Sequence, residues 1–286
     1  MKPAMTGNPM DSIGLNELDY AIRWNGLSGA VICLHSSLKS FGRVEGGAET
    51  VLQAFLQNGC TLLVPAFTYD CEVPIPEGHH LARNAYNPHD VSSYEDALGY
   101  DPSSDLISPE MGQIPARLLA LPGHLRGAHP LNSFAALGPR AEALIRAQAA
   151  LNVYGPYKVA FERENAFLVL AGVDLTSATP LHYAEERAGR RLFRRWAKLA
   201  DGSIIETEVG SCSDGFNRLL APLHPLETQA RVGQSLWRIY PLRPFIETAS
   251  AVIRRDPEIT RCIDPFCQRC ADAIAGGPLL PGGSRN

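Results

Sequence analysis

The 286-residue sequence has no uninterrupted apolar stretch approaching the ~18 residues of a membrane span, and no N-terminal basic patch followed by an apolar run. No membrane association is expected, and the reading is of a cytoplasmic protein. A lysine- or arginine-rich tail is also missing, and the formal net charge is −4. Phosphate backbones need a basic face, so neither DNA nor RNA is an expected partner. Two nucleotide signatures are absent as well: the glycines do not fall in G-x-G-x-x-G, and no loop carries Gly-Lys-Ser/Thr. NAD and ATP are therefore poor candidates. There is no internal repeat and no low-complexity tract.

Cysteine usage excludes a secreted disulfide framework. The seven cysteines are an odd number, and Cys33, Cys60, Cys71 and Cys212 stand singly. The other three form Cys262-x4-Cys267-x2-Cys270, a spacing able to bring three thiolates to zinc but lacking a fourth ligand nearby. Three reduced cysteines are the plainer reading, and no metal is assigned.

What is present is an ordinary globular composition, 45% apolar and 20% charged. No domain boundary is visible, so residues 1–286 read as a single domain, ordered from about 11 to 270, with a flexible tail at 276–286. Short apolar runs alternate with helical patterns, the signature of an α/β fold. Residues 31–34, 61–67 and 166–173 are expected as buried strands, and 48–57 as a helix stopped by Asn58-Gly59. Further helices are expected at 114–121, with Pro115 in the first turn, and at 139–150. Residues 70–110 break the periodicity and read as a long surface excursion carrying nine acids against the single base Arg83. The basic run from Arg187 to Lys198 reads as a solvated helix face.

Two stretches carry chemistry. "TSATPLHYAEERAGRR" follows an apolar strand, with Thr179 as N-cap, Pro180 at the first helical position and Gly189 as the stop. That places His182 in the first turn, where the helix dipole favours a neutral imidazole, and Glu185 three residues on along the same face. The pair suits a general base and the carboxylate that orients it, although a buried histidine beside a solvated acid fits the spacing equally. No second His-x-x-Glu completes a di-metal set. The other stretch is the loop opened by His35, Ser36 and Ser37, in which Gly42, Gly46 and Gly47 keep the backbone open before a helix. The first amides of that helix, with Lys39 and Arg43 close in sequence, suit a phosphate-bearing cofactor.

The segments "HSSLKSFGRVEGG", "LLVPAFTYD", "SPEMGQIP", "HPLNSFAALG" and "TPLHYAEERAG" occur in the order found in the aminoglycoside 3-N-acetyltransferase family, which the chain resembles from about residue 15 to 250. The resemblance implies a three-layer α/β/α fold around a central mixed sheet, acetyl-CoA as co-substrate, and transfer to the 3-amino group of a 2-deoxystreptamine ring. It also implies that His35, Ser36, Ser37, Leu38, Gly42 and Gly47 cradle coenzyme A, with His35 equally readable as a structural residue that ties down the loop after a buried strand, and that His182 and Glu185 take the catalytic places. Asp70, closing "AFTYD", either orients the base or binds substrate ammonium groups, unless it is a surface aspartate in a turn. His129 and Glu185 are expected to face the acceptor, unless His129, which precedes a proline, is only a loop residue hydrogen-bonded to backbone, and backbone amides or a hydroxyl of the Ser36-Ser37 loop are expected to stabilise the oxyanion. Two alternatives stay open: a biosynthetic N-acyltransferase acting on another amine, such as an amino-sugar or aminophosphonate intermediate, and a CoA-binding protein without turnover. The oligomeric state is not indicated.

Overall fold

The run Val31–Ser36 (β1) begins with four apolar residues because both of its faces are covered. It is the centre of a computed structural model that describes residues 12–280. The other strands are Thr61–Pro65 (β2), Glu72–Val73 (β3), Leu125–Arg126 (β4), Phe134–Leu137 (β5), Ala166–Ala171 (β6), Phe193–Lys198 (β7), Ile204–Val209 (β8), Thr228–Val232 (β9) and Ser235–Pro241 (β10). Seven of them form one sheet in the order β4-β5-β2-β1-β6-β10-β9. β1 runs parallel to both β2 and β6, and the remaining pairs are antiparallel, so the sheet is mixed.

Strand alternation divides the apolar side chains between two cores. Val31 and Cys33 join Leu63, Leu168, Leu170 and Tyr240 beneath the helices Gly155–Phe161, Pro180–Arg187 and Leu242–Arg255. Ile32 and Leu34 join Leu62, Val64, Val169 and Ile239 beneath the helices Leu15–Trp24, Gly47–Gln57 and Gln113–Leu119. Each fully buried aliphatic side chain contributes about 1.5–3 kcal/mol. The result is the expected three-layer α/β/α arrangement. No helix among the described residues is long and apolar enough to cross a membrane.

The three expected strands are present, and the first helix ends at Gln57 with Gly59 in the left-handed region at φ 72°. The helix expected at 139–150 covers only Ala141–Ile145. The chain leaves it so that Gln148 can turn inward, where its side-chain carbonyl accepts from Phe134 N at 3.0 Å and its NH2 donates to Asn132 O and Val153 O, both at 2.9 Å. Tertiary hydrogen bonding overrides local propensity there.

The 70–110 segment is less of an excursion than its composition suggests. It supplies β3 to a second, antiparallel sheet in the order β3-β7-β8, and Val73, Ile75, Ala97 and Tyr100 are buried against that sheet. The basic run is corrected too. The helix stops at Arg187, and Arg194, Arg195 and Lys198 lie on β7, with Arg190 and Arg195 buried in ion pairs. Part of the expected tail is also ordered: Gly277 N donates to Asp272 O at 2.8 Å and Leu279 N to Ala82 O at 3.0 Å. Residues 1–11 and 281–286, including the rest of that tail, lie outside the described residues.

Gln148→Ala strands three buried backbone groups, each costing ~1–3 kcal/mol when unpaired. We expect urea unfolding to report a loss of roughly 2–5 kcal/mol; a loss below about 0.5 kcal/mol would show that the surrounding loops re-pair.

Candidate active site

β1 delivers His35, Ser36 and the following Ser37, Leu38 and Lys39 to one side of a cavity of about 720 Å³. This is the carboxyl end of the central parallel strands, where open α/β sheets commonly bind ligands. The lining also includes His182 and the loop Gly210–Asp214 that follows β8, while Tyr69, Glu72 and Glu110 come from the acid-rich segment.

His182 is the third residue of the helix Pro180–Arg187, as its spacing implied, although the Thr179 side chain makes no capping bond. The imidazole is held on three sides. Its Nδ1–H donates to Glu185 Oε2 at 2.8 Å, Tyr154 stacks at 6.1 Å between ring centroids, and Phe216 lies at 4.8 Å. Nε2 has no hydrogen-bond partner among the described residues and is the nitrogen left to the cavity. Gly210 is required for this packing, since a Cβ there would fall 2.6 Å from His182 Cγ and 2.5 Å from the Tyr154 hydroxyl.

Glu185 is 2% exposed and does not line the cavity; it stands behind the histidine. Besides His182, it accepts from Ser211 Oγ at 2.7 Å and from Arg190 Nη1. Arg190 is fixed in turn by donating to Thr260 Oγ1 at 2.8 Å and Pro257 O at 2.6 Å. Burial alone would raise the carboxyl's pKa, but the His182 bond and charge, the Arg190 charge and the Ser211 bond hold it below the ordinary value. It is therefore an anion able to stabilise an imidazolium.

The other expected residues divide. His35 lines the cavity, but its Nε2 lies 3.3 Å from the Tyr157 hydroxyl and burial pushes its pKa down to about 3, so it stays neutral. Ser36, Ser37 and Leu38 are at the cavity, whereas Gly42 and Gly47 are not among its lining residues. Ser37 N already donates to Ala171 O at 3.0 Å and is unavailable for an oxyanion. His129 is fully buried outside the cavity wall. Its Nδ1 accepts from Asn132 N at 2.8 Å and Leu131 N at 3.3 Å, and its Nε2–H donates to Glu208 O at 2.8 Å. Burial lowers it to about 4, and its place is that of a loop organiser rather than a group facing substrate. Asp70 is exposed and absent from the lining, while its neighbours Tyr69 and Glu72 are present, which favours the surface-turn alternative.

Several site residues had no signal in the sequence. Ser211 and Tyr154 reach the His182–Glu185 pair from 26 and 28 residues away, whereas Arg190, five residues beyond Glu185, stood inside the segment already singled out but was read only as part of the basic run. Cys212 is the fourth thiol that the C-terminal cysteines lacked locally: its sulfur lies with those of Cys262, Cys267 and Cys270, all within 4.8 Å of one another.

A histidine backed by a buried carboxylate thus lines a large cavity at the carboxyl end of the central parallel strands of a mixed α/β/α sheet. Residues 33–254 match the family described as aminoglycoside 3-N-acetyltransferase, and the chain belongs to that family. It is 27% identical over 244 residues to an aminoglycoside N(3)-acetyltransferase IV of Salmonella sp, covering 81% of this chain and 83% of that protein. An aminoglycoside N(3)-acetyltransferase III of Salmonella sp is 35% identical over 162 residues, but the chain spans only about half of that relative's length, 54%. Among solved structures, the apoenzyme of aminoglycoside acetyltransferase AAC(3)-IVa superposes with a TM-score of 0.73 at 24% identity, covering 93% of this chain and 98% of that one. The YokD protein from Bacillus subtilis gives 0.73 at 21%, covering 87% and 96%. These likenesses share the fold.

The depressed Glu185 pKa has a stability consequence. A carboxyl whose folded pKa lies below its unfolded value, about 4.3, contributes stability that is present above that value and lost as pH falls through the folded pKa. Urea unfolding between pH 7 and 3 should show a shallower acid decline for Glu185→Gln than for wild type. Parallel declines would mean the carboxylate is not held as described.

Proposed function

We propose that the chain binds acetyl-CoA and transfers its acetyl group to an aminoglycoside amine, the 3-amino group of 2-deoxystreptamine, with His182 as general base. The observation that carries this reading is the His182 ring, fixed through Nδ1 on a buried anion with Nε2 left to the cavity. Family membership supports it, as do relatives named aminoglycoside N(3)-acetyltransferase. So do structural neighbours described as AAC-IIIb binary with CoASH and AAC-VIa bound to sisomicin.

The chain's own groups suit the steps of such a transfer. Nε2 accepts a proton from the amine as its nitrogen attacks the thioester carbonyl, and Glu185 stabilises the imidazolium that results. With the Ser37 amide already engaged, the N–H groups of Leu38 and Lys39 have no acceptor among the described residues and are the donors available to the oxyanion, together with the serine hydroxyls. The Lys39 and Arg269 side chains at the cavity suit a phosphate-bearing co-substrate. The imidazolium can return its proton to the departing thiolate, so no covalent enzyme intermediate is needed.

One observation favours the second reading, an N-acyltransferase for a less cationic amine. Of the acids between residues 70 and 110 whose side chains are described, Glu72 and Glu110 line the cavity, and Glu72 faces Arg195 at 3.3 Å. Asp214 adds one exposed carboxylate from the opposite loop. The field that a polycation would meet is therefore weaker than the segment's composition implies.

His182→Ala should lower kcat by roughly 10²–10⁴-fold with little change in acetyl-CoA affinity, measured by thiol release and calorimetry. A variant with undiminished kcat at neutral pH would sink the base assignment. For an aminoglycoside acceptor, Glu110→Gln with Asp214→Asn should raise KM more for a polyamine sugar than for a monoamine, and wild-type KM should climb with salt. A KM indifferent to both, alongside faster turnover of another amine, moves the preference to the second reading.

A further inference from the structure

We propose that Cys212, Cys262, Cys267 and Cys270 bind one structural zinc ion, and that this centre fastens the cavity-lining loop 210–214 to the C-terminal segment. The four sulfurs lie within 4.8 Å of one another, and all four cysteines are free of disulfides. A tetrahedral zinc with bonds of about 2.3 Å needs its sulfurs about 3.8 Å apart, so the four thiols already stand within an ångström or so of the required edge length. Larger iron–sulfur clusters hold their cysteines farther apart. Two separate disulfides would join the thiols in pairs without requiring all four to meet.

Sequence and local structure agree with a metal knuckle. Cys267 is the N-cap of the helix Gln268–Ile274 and Cys270 sits in its first turn, so the two converge on one side. Cys262 N donates to Cys270 Sγ at 3.4 Å, an N–H···S contact that stabilises negative charge on sulfur. Arg269, between the two helix cysteines, donates from Nη2 to Gly210 O at 3.2 Å and Ser211 O at 3.3 Å, and brings a cation to a site whose four thiolates outweigh the metal's charge.

Packing gives an independent reason. Around this segment the apolar cluster consists of Cys212, Cys262 and Cys270, with Cys267 and Ile274 against them. Ile263 and Phe266, the two large side chains of the connecting loop, are 102% and 90% exposed. A loop with so little buried area has no hydrophobic means of staying in place, and small domains in that position commonly use a metal. Four soft thiolates closing the coordination shell select zinc over harder cations and leave no open position for catalysis. Ser211, next to Cys212, donates to Glu185, so the metal lies one residue from a group that holds the carboxylate.

The full chain, purified without chelators, should contain about one zinc per molecule by elemental analysis, released in proportion as a mercurial titrates the thiols. Cobalt(II) in its place should give thiolate charge-transfer absorption and the d–d bands of a tetrahedral site. Cys262→Ser with Cys267→Ser should abolish both signals, while Cys60→Ser keeps them. On zinc removal, hydrogen exchange should rise in 208–215 and 261–275 before the central strands. Should the double variant not fold, the wild-type metal content and cobalt spectrum still decide. Folded wild-type protein without bound zinc, and with no cobalt spectrum, overturns the proposal. Iron at equal stoichiometry or two disulfides by mass spectrometry overturns it equally. None of these readouts depends on acetyl transfer, so the proposal stands or falls apart from the functional reading.

Discussion

The Glu185 carboxylate is the constraint on which the site depends. Burying an ion costs several kcal/mol unless its oxygens are satisfied, and here the required donors come from three places: His182 on its own helix, Ser211 on the loop after β8, and Arg190 beyond the helix end. Arg190 also reaches the carbonyl of Pro257 and the hydroxyl of Thr260. One anion thus sets the register between the α/β/α layers and the segment after the Leu242–Arg255 helix. Removing any donor leaves the others oriented toward a poorly neutralised charge, so the histidine's tautomer and the loop's position are coupled.

The same economy of position shapes the cavity. The central sheet contributes His35 and Ser36 from the end of β1, while the second sheet contributes Glu72 and Arg195, and the loop after β8 contributes Ser211, Cys212 and Asp214. Because β1 lies between two parallel neighbours, its carboxyl end opens into a crevice flanked by both crossovers. Side chains of His35 and Cys33 share the face packed on Tyr157 and the helices, which explains why a histidine at the strand's edge is structural in character.

Local sequence was informative wherever periodicity was long or a turn was marked. β1, β2, β6 and the Gly47–Gln57 helix follow from apolar runs and from Asn58-Gly59, and the His182–Glu185 pair follows from a Pro-initiated helix of known phase. What was not legible depended on contacts made across the chain. Gln148 ends a helix by serving backbone groups 14 to 16 residues earlier, and the Arg187–Lys198 run changes from helix to strand because it pairs with β8. His129 and Asp70 sit in segments with good family resemblance, yet a motif does not specify which way a loop residue points. Cys212 is 50 residues from Cys262, a separation at which no local spacing rule applies.

The chain beside the second sheet is held to the C-terminal segment by bonds between very distant parts of the sequence. Ala85 N meets Asp272 Oδ2 across 187 residues at 2.8 Å, and Arg83 meets Ala275 O across 192. Closing such loops is slow because their entropy must be surrendered before any contact rewards it. On a ribosome, the central strands β1, β2 and β6 are complete long before residue 272 emerges, so the core can form while the cavity wall still lacks its last partner. Assembly of the scaffold and assembly of the site are thereby separate events in the life of the chain.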